Sequence, residues 1–377
     1  MKTKFSSLCL MIAAAALIAA PHAWSQTVWK GDAGPLWSTP ANWSAGVPDG
    51  NTAFVQFKDS AKNRTVTVDG NYTFQQMQFL GGSPAPFILT GGSLIFDRNG
   101  GGSGILDGST RDNTVSSNLT VSTSDTTKSS VIAKIGPSGT LNFSGTLTTS
   151  SLTVFHVPNK GRIVISGNLI GAEDPQGGSF NQQYQAGAGG EITIEGAGVS
   201  SNPWPKSSVS INLGGDAGPG TMNLNRPAAL AAERILLLNN ASTSNSSVNL
   251  GADNAIANDD GSFRTQVSVA GESLTLNTNG HSLDLSRKTL QLSPFGNPGV
   301  TFNLDMGNGN SQLCFARSSS ENWKGALSIT NFTKGQDSIR FGENELGITP
   351  AQLARITING AGGVEIDAEG FLVAPEQ

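Results

Sequence analysis

The sequence predicts an all-β chain of short strands coiled into a parallel solenoid, and three observations predict it. Apolar residues recur at every second position in segment after segment, which puts one face of each strand in a core and the other in solvent. Gly, Asn, Asp, Ser and Pro fill the gaps, the residues that accept turn dihedrals or bond locally to the backbone. More than twenty such segments follow one another with no break in composition, whereas a single sandwich uses about seven to nine strands in ~100 residues. Three tandem sandwiches are the competing arrangement. Of 377 residues 47 are Gly, hydrophobic residues make up 37% and charged residues only 14%, against roughly 25% charged in an average globular chain. With Gly added to the hydrophobic fraction, about half the chain is core-forming, so wholesale disorder is excluded. The formal net charge of −5 and the few Lys and Arg argue against a nucleic-acid partner, because phosphate neutralisation needs a concentrated basic surface.

Residues 1–25 read as a secretory signal peptide. Lys2 and Lys4 precede an uninterrupted apolar run from Leu8 to Ala20, and Ala23-Trp24-Ser25 supplies a small-x-small site with cleavage before Gln26. The run is too short to span a bilayer, and the mature chain is expected to carry no membrane-spanning segment. Ser6-Ser7-Leu8 lacks lipobox order, so Cys9 reads as part of the signal rather than as a lipid anchor. Cleavage removes Lys2 and Lys4 and leaves 21 basic against 28 acidic side chains, a net charge of −7. It also leaves Cys314 as the sole cysteine, so no intrachain disulfide is expected in the mature chain. The alternation in Gln312-Leu-Cys-Phe-Ala reads Cys314 as a small buried hydrophobe.

Residues 26–60 read as an N-terminal cap. Trp29, Trp37 and Trp43 fall within fifteen residues among Gly and Pro, and three indoles suit a lid over an open solenoid core. Residues 61–335 form the repeat region, with strand patterns such as Arg64-Thr-Val-Thr-Val-Asp69, Arg162-Ile-Val-Ile-Ser166, Glu191-Ile-Thr-Ile-Glu195 and Ala326-Leu-Ser-Ile-Thr330. Asn239-Asn240, Asn245, Asn249 and Asn254, placed at turns, are expected to stack and hydrogen-bond along successive rungs. Rungs of about 20–25 residues at ~4.8 Å each would make a rod of about 60 Å. Ala228 to Leu238 reads as either a helix or a buried strand. Residues 336–377 read as the C-terminal cap, where Thr349-Pro350-Ala-Gln-Leu-Ala-Arg355 is a short helix with Thr at the N-cap and Pro in the first turn.

Trp37 with Asn42-Trp43-Ser44, then Gly46-Val-Pro48 and Ala53-Phe-Val-Gln-Phe57, resembles the opening of secreted proteins that carry autotransporter-associated β-strand repeats. Toward the end, Ser311-Gln-Leu-Cys-Phe-Ala-Arg, Trp323-Lys-Gly-Ala-Leu-Ser-Ile-Thr-Asn-Phe332, Ser338-Ile-Arg-Phe-Gly342, Gly347-Ile-Thr-Pro-Ala-Gln-Leu-Ala-Arg-Ile-Thr-Ile358 and Asp367-Ala-Glu-Gly-Phe-Leu372 are similar to the close of the repeat region in such proteins from Verrucomicrobia and Planctomycetes. The resemblance covers residues ~27–57 and ~270–377. It implies a right-handed parallel β-solenoid (β-helix), exported beyond the inner membrane and resembling an autotransporter passenger. The sequence ends Ala374-Pro-Glu-Gln377, without the Pro-Glu-Pro sorting tail or the translocator barrel of many such proteins, so neither membrane-linked sorting nor self-driven export is expected.

Residue patterns that carry chemistry are few. His156 and His281 lack zinc spacing, Cys314 stands alone, and no cofactor or metal is expected. Gly102-Ser-Gly104-Ile-Leu-Asp107 grazes a dinucleotide pattern without its third Gly and reads as a loop. Glycoside hydrolysis needs two convergent carboxylates. Glu191 and Glu195 share a strand face but stand ~13 Å apart along it, wider than either glycosidase geometry. Glu173-Asp174 and Asp259-Asp260 sit in polar loops, and Asp284, Asp305 and Glu321 are the set that would have to meet across rungs. Trp29, Trp37 and Trp43 also have a carbohydrate-stacking reading, which requires an exposed ring face. The expectation is therefore a noncatalytic exported solenoid, secreted, periplasmic or at the cell surface, acting as a structural or adhesin-like component. The alternatives are a polysaccharide-binding module and a polysaccharide lyase or hydrolase on a β-helix, and the expected partners are extracellular polysaccharide or other surface components.

Overall fold

The computed structural model of the chain describes residues 25–97, 104–122, 129–149, 152–171, 181–195, 204–214, 218–239, 246–267, 273–293 and 300–376. Apart from residue 25, the signal-peptide reading lies outside them, as do Cys9 and Glu173-Asp174.

Alternation builds each rung. In Thr221–Leu224 the side chains of Met222 and Leu224 are buried while Thr221 and Asn223 are half-exposed, and Ser273–Asn277 repeats the pattern. These strands lie side by side rather than folding back. Met222 sits opposite Val248, then Leu276, Leu304, Ile329 and Ile358, one residue per rung, each pairing parallel. A second inward column runs from Thr27 through Val55 and Met77 to Thr265 and Leu292. The result is a parallel β-solenoid of about 10 turns. Among the described strands only Glu365–Ile366 and Leu372–Val373 pair antiparallel, which excludes tandem sandwiches.

Among the described residues three sheets run along the rod. One has 11 strands, from Ser25–Trp29 to Lys288–Leu292; another has 15 and closes on Ile356–Ile358; a third joins Leu283–Leu285, Gln312–Phe315 and Ser338–Phe341. Ile88–Asp97 turns a corner within one strand. Its first residues pair with Asn113–Val115 and its last with Asn118–Ser122, so a turn such as Gly104–Asp107, Asn113–Val115, Asn118–Ser122 has three sides.

Rung length is the first correction. Paired residues are separated by 22 positions (Thr140 to Arg162) up to 30 (Glu191 to Thr221), longer than the expected 20–25, because the corners vary while the strands stay short. Eleven strands at about 4.8 Å span roughly 50 Å, and the 15-stranded sheet runs two rungs further, through Ala326–Thr330 to Ile356–Ile358. Both cap regions also contribute rungs: Ala53–Phe57 pairs Gln76–Phe79 in the long sheet, and Ser338–Phe341 pairs Gln312–Phe315. Gly104–Asp107 is a strand, not a loop, and Ala232–Asn239 takes the strand form of the two readings given for that segment. Cys314 is half-buried rather than buried, because Leu313 and Phe315 take the inward positions of its strand.

Both rod ends are covered, as unpaired strand edges otherwise template aggregation. At the start, Ser44 N–H donates to Val28 O at 3.0 Å and Lys30 N–H to Asn42 O at 2.7 Å, while Trp37 N–H reaches Thr67 O at 2.8 Å. One loop thereby satisfies the first strands of two sheets. At the other end, Leu290 N–H donates to Ser318 Oγ, Trp323 Nε1 to Leu290 O, and Lys324 N–H to Leu292 O. The helix is Pro350–Leu353, and Thr349 caps it reciprocally: Gln352 N–H donates to Thr349 Oγ1 at 3.2 Å and Thr349 N–H to Gln352 Oε1 at 2.7 Å. Gln352 also ties the helix to the Ser318 and Glu321 carbonyls. Among the described residues no helix is long and apolar enough to cross a membrane.

Candidate functional site

The three candidate indoles meet at the N-terminal end. Trp29 and Trp43 pack edge-on with centroids 5.0 Å apart, and Trp37 lies 4.8 Å from Trp43. Each ring N–H is used internally: Trp29 donates to Asn63 O at 2.7 Å, Trp37 to Pro48 O at 3.3 Å and Trp43 to Trp37 O at 2.7 Å. Their exposures are 0%, 0% and 2%. The ring exposure that sugar stacking requires is therefore absent at Trp29, Trp37 and Trp43, and the lid geometry explains why: the rings fill the space that the first rung leaves open.

The acidic candidates are engaged in separate places. Glu191 accepts from Asn223 at 2.7 Å and from Thr193 at 3.0 Å, with Arg162 at 3.5 Å. Asp305, on the 15-stranded sheet, accepts from Asn331 and Gly307. Asp284, on the three-stranded sheet, accepts from the Ser286 amide, and Glu321 lies in the turn before Trp323. Asp260 takes both forks of Arg287 at 2.7 and 2.8 Å, which hold its carboxyl below the usual range. His281 approaches Asp253 at 3.3 Å. His156 stands on the outward side of the 11-stranded sheet, opposite Ala133 and Gln185, where burial pushes its pKa down. Cys314 lies between Asp284 and Arg340 in register, and burial raises its thiol pKa, which suppresses thiolate reactivity. No cluster of three or more His, Cys, Asp or Glu suited to a metal occurs among the described residues.

What repeats is polar and outward. On the 15-stranded sheet, Thr193, Asn223, Asn249, Asn277, Asp305 and Thr330 succeed one another at one register position. Two residues along each strand, Thr221, Ser247, Thr275, Asn303 and Ser328 form a second column. Within the first, Asn277 Nδ2 donates to Asn249 Oδ1 at 2.6 Å, Asn249 to Asn223 at 2.8 Å, and Asn223 to Thr193 Oγ1 at 3.2 Å. Asn stacking was expected at turns; Asn249 stands on a strand instead, and Asn240 and Asn245 lie outside the described residues.

Compared with known families, curated proteins and solved structures, the chain finds no significant match. Function has to be argued from its own surface. The two columns offer hydroxyl and amide groups at a repeat of about 4.8 Å along the rod and ~6.6 Å across it, a flat lattice of donors and acceptors.

Sequence reasoning missed one cluster, a few rungs from the Trp lid along the same inward column. Asp107 and Lys134 are both wholly buried, with Lys134 Nζ 3.5 Å from Asp107 Oδ1. Beside them the buried Arg111 pairs with Asp59 and lies over the Phe87 ring at 5.4 Å. The signal was in the alternation. Ile105 and Ile132 are inward, so Asp107 and Lys134, two positions on, are inward as well.

Proposed function

We propose that this chain is a noncatalytic exported solenoid, a structural or adhesin-like component of the cell surface or extracellular matrix. The observation that supports it best is the outward ladder Thr193, Asn223, Asn249 and Asn277, where polar side chains bond to one another from rung to rung. Groups spent on holding a regular face together favour a rigid repeated surface over a reactive cleft, and the acidic side chains of Glu191, Asp260 and Asp305 are likewise spent on neighbours. Export rests on the signal-peptide pattern of residues 1–25, and the passenger-like role rests on the resemblance of both ends to autotransporter-associated repeat proteins. Fold alone does not choose, since β-helices carry enzymes as well as inert stalks.

Fractionation of expressing cells tests the export half. Recovery outside the cytoplasm with a new N-terminus at Gln26 supports it, and full-length protein in the cytoplasm contradicts it.

A second reading is polysaccharide binding, moved from the buried indoles to the double polar column. Thr221, Thr275 and Asn303 are half-exposed there, at a repeat an extended glycan can follow by hydrogen bonding. Thr275→Arg with Asn303→Arg should abolish retention on such a glycan, and unchanged retention would remove this face from consideration.

A further inference from the structure

The column that begins Trp29, Phe57 and Phe79 continues in register to Asp107 and Lys134. Two charged residues thus follow three aromatic ones at consecutive inward positions of one stack. Both are 0% exposed, and Nζ lies 3.5 Å from Oδ1. Desolvating an isolated ion pair this completely is costly, and the surrounding groups do more than neutralise it. Ser109 donates to Asp107 Oδ1 from its amide at 2.9 Å and from its hydroxyl at 2.6 Å, and Asn113 Nδ2 donates to Oδ2 at 2.9 Å. Lys134 Nζ donates to the Ser109 carbonyl, which aligns the amine beside the carboxyl. Ser109 and Asn113 are themselves wholly buried.

We propose that Lys134 and Asp107 condense into an intramolecular isopeptide bond that staples two neighbouring rungs. The amine nitrogen adds to Cγ, and the developing negative charge falls on Oδ1, already held by two Ser109 donors, the arrangement that stabilises a tetrahedral intermediate. A C–N bond forms and the C–Oδ2 bond breaks. Oδ2 leaves as water, carrying its own proton and one from Nζ, so neither oxidant nor cofactor is needed. Burial pushes the Lys134 pKa down and the Asp107 pKa up, and the neutral amine and acid that burial favours are the reacting forms. The bond would join Gly104–Asp107 to Ser130–Lys134 in a chain with only two cysteines.

Proteolytic mapping of the purified full-length product by mass spectrometry tests this without relying on a variant. A branched fragment joining the Asp107 and Lys134 peptides, lighter by one water or about 18 Da than their sum, is expected. Two separate linear peptides of unaltered mass would overturn the proposal. So would a water loss confined to the linear Asp107-Gly108 peptide, which marks a succinimide. Lys134→Met should abolish the branched fragment, and its persistence would assign the bond to another lysine. Should Lys134→Met fail to fold, the map of the unmodified sequence decides alone.

Discussion

The side-chain amide of Asn249 donates to Asn223 Oδ1 at 2.8 Å, one rung away on the same face. Asn249 also accepts from Asn277 at 2.6 Å, so it is the middle of a ladder. A net hydrogen bond contributes about 0.5–1.5 kcal/mol. Asn249→Ala, which removes two, should lower unfolding free energy by about 1–3 kcal/mol. Urea unfolding followed by far-UV circular dichroism checks this, with an unchanged native spectrum and a lower midpoint as the expected outcome.

Trp43 is the keystone of the N-terminal lid. It touches Trp29 and Trp37 and donates to the Trp37 carbonyl. Trp43→Ala should cost about 3–5 kcal/mol and free the edge of Ser25–Trp29, which offers unpaired backbone groups to other chains. Thermal unfolding and light scattering after chromatography measure both effects. A lower melting temperature with a shift toward higher oligomers is expected.

Two glycines separate close approach from open space. A Cβ on Gly167 would stand 2.0 Å from the Gly145 carbonyl oxygen at a corner where rungs stack, whereas a Cβ on Gly362 meets nothing within 4 Å. Gly167→Ala forces a backbone shift and should destabilise by about 2 kcal/mol or more. Gly362→Ala should stay within about 0.5 kcal/mol. Chemical denaturation of the pair compares them directly.

Acid should destabilise the rod through its surface carboxylates. Ser282 N–H and His281 hold Asp253 below its ordinary pKa, and Arg287 does so for Asp260. Asp69 is also lowered: burial pulls its pKa upward, and Ser38 and Tyr72 outweigh that pull by donating to its carboxylate. For a depressed carboxylate the stabilisation is present above the unfolded value, about 3.9, and is lost as pH falls through the folded value. Unfolding midpoints are therefore expected to hold from neutrality to about pH 4 and to drop below it. Asp260→Asn should flatten part of that drop.

Strands and the cap helix were legible because their signals are local. Alternation in Ser273–Asn277 fixes which residues share a face, and Thr349-Pro350 with Gln352 spells out a helix start. Stacking order was only partly legible. Corners between Glu191 and Thr221 are longer than those between Thr140 and Arg162, and no local pattern sets their length. Chemistry at inward positions was harder still. Alternation alone gives Asp107 and Lys134 the same face as Ile105 and Ile132, yet charged residues are read as solvated until register puts them against each other. The Trp lid was legible as a cluster, but its burial depended on Val28, Asn42 and Thr67 pairing across the loop.

The most direct test of a noncatalytic structural solenoid is to incubate the purified chain with a panel of soluble and insoluble polysaccharides and to measure sugar-end release. No new sugar ends are expected with any member of the panel, and protein depletion by an insoluble glycan without release would point to the polar double column as a binding face. Release of new sugar ends that is lost with a single carboxylate substitution, such as Glu191→Gln or Asp305→Asn, would contradict the noncatalytic reading.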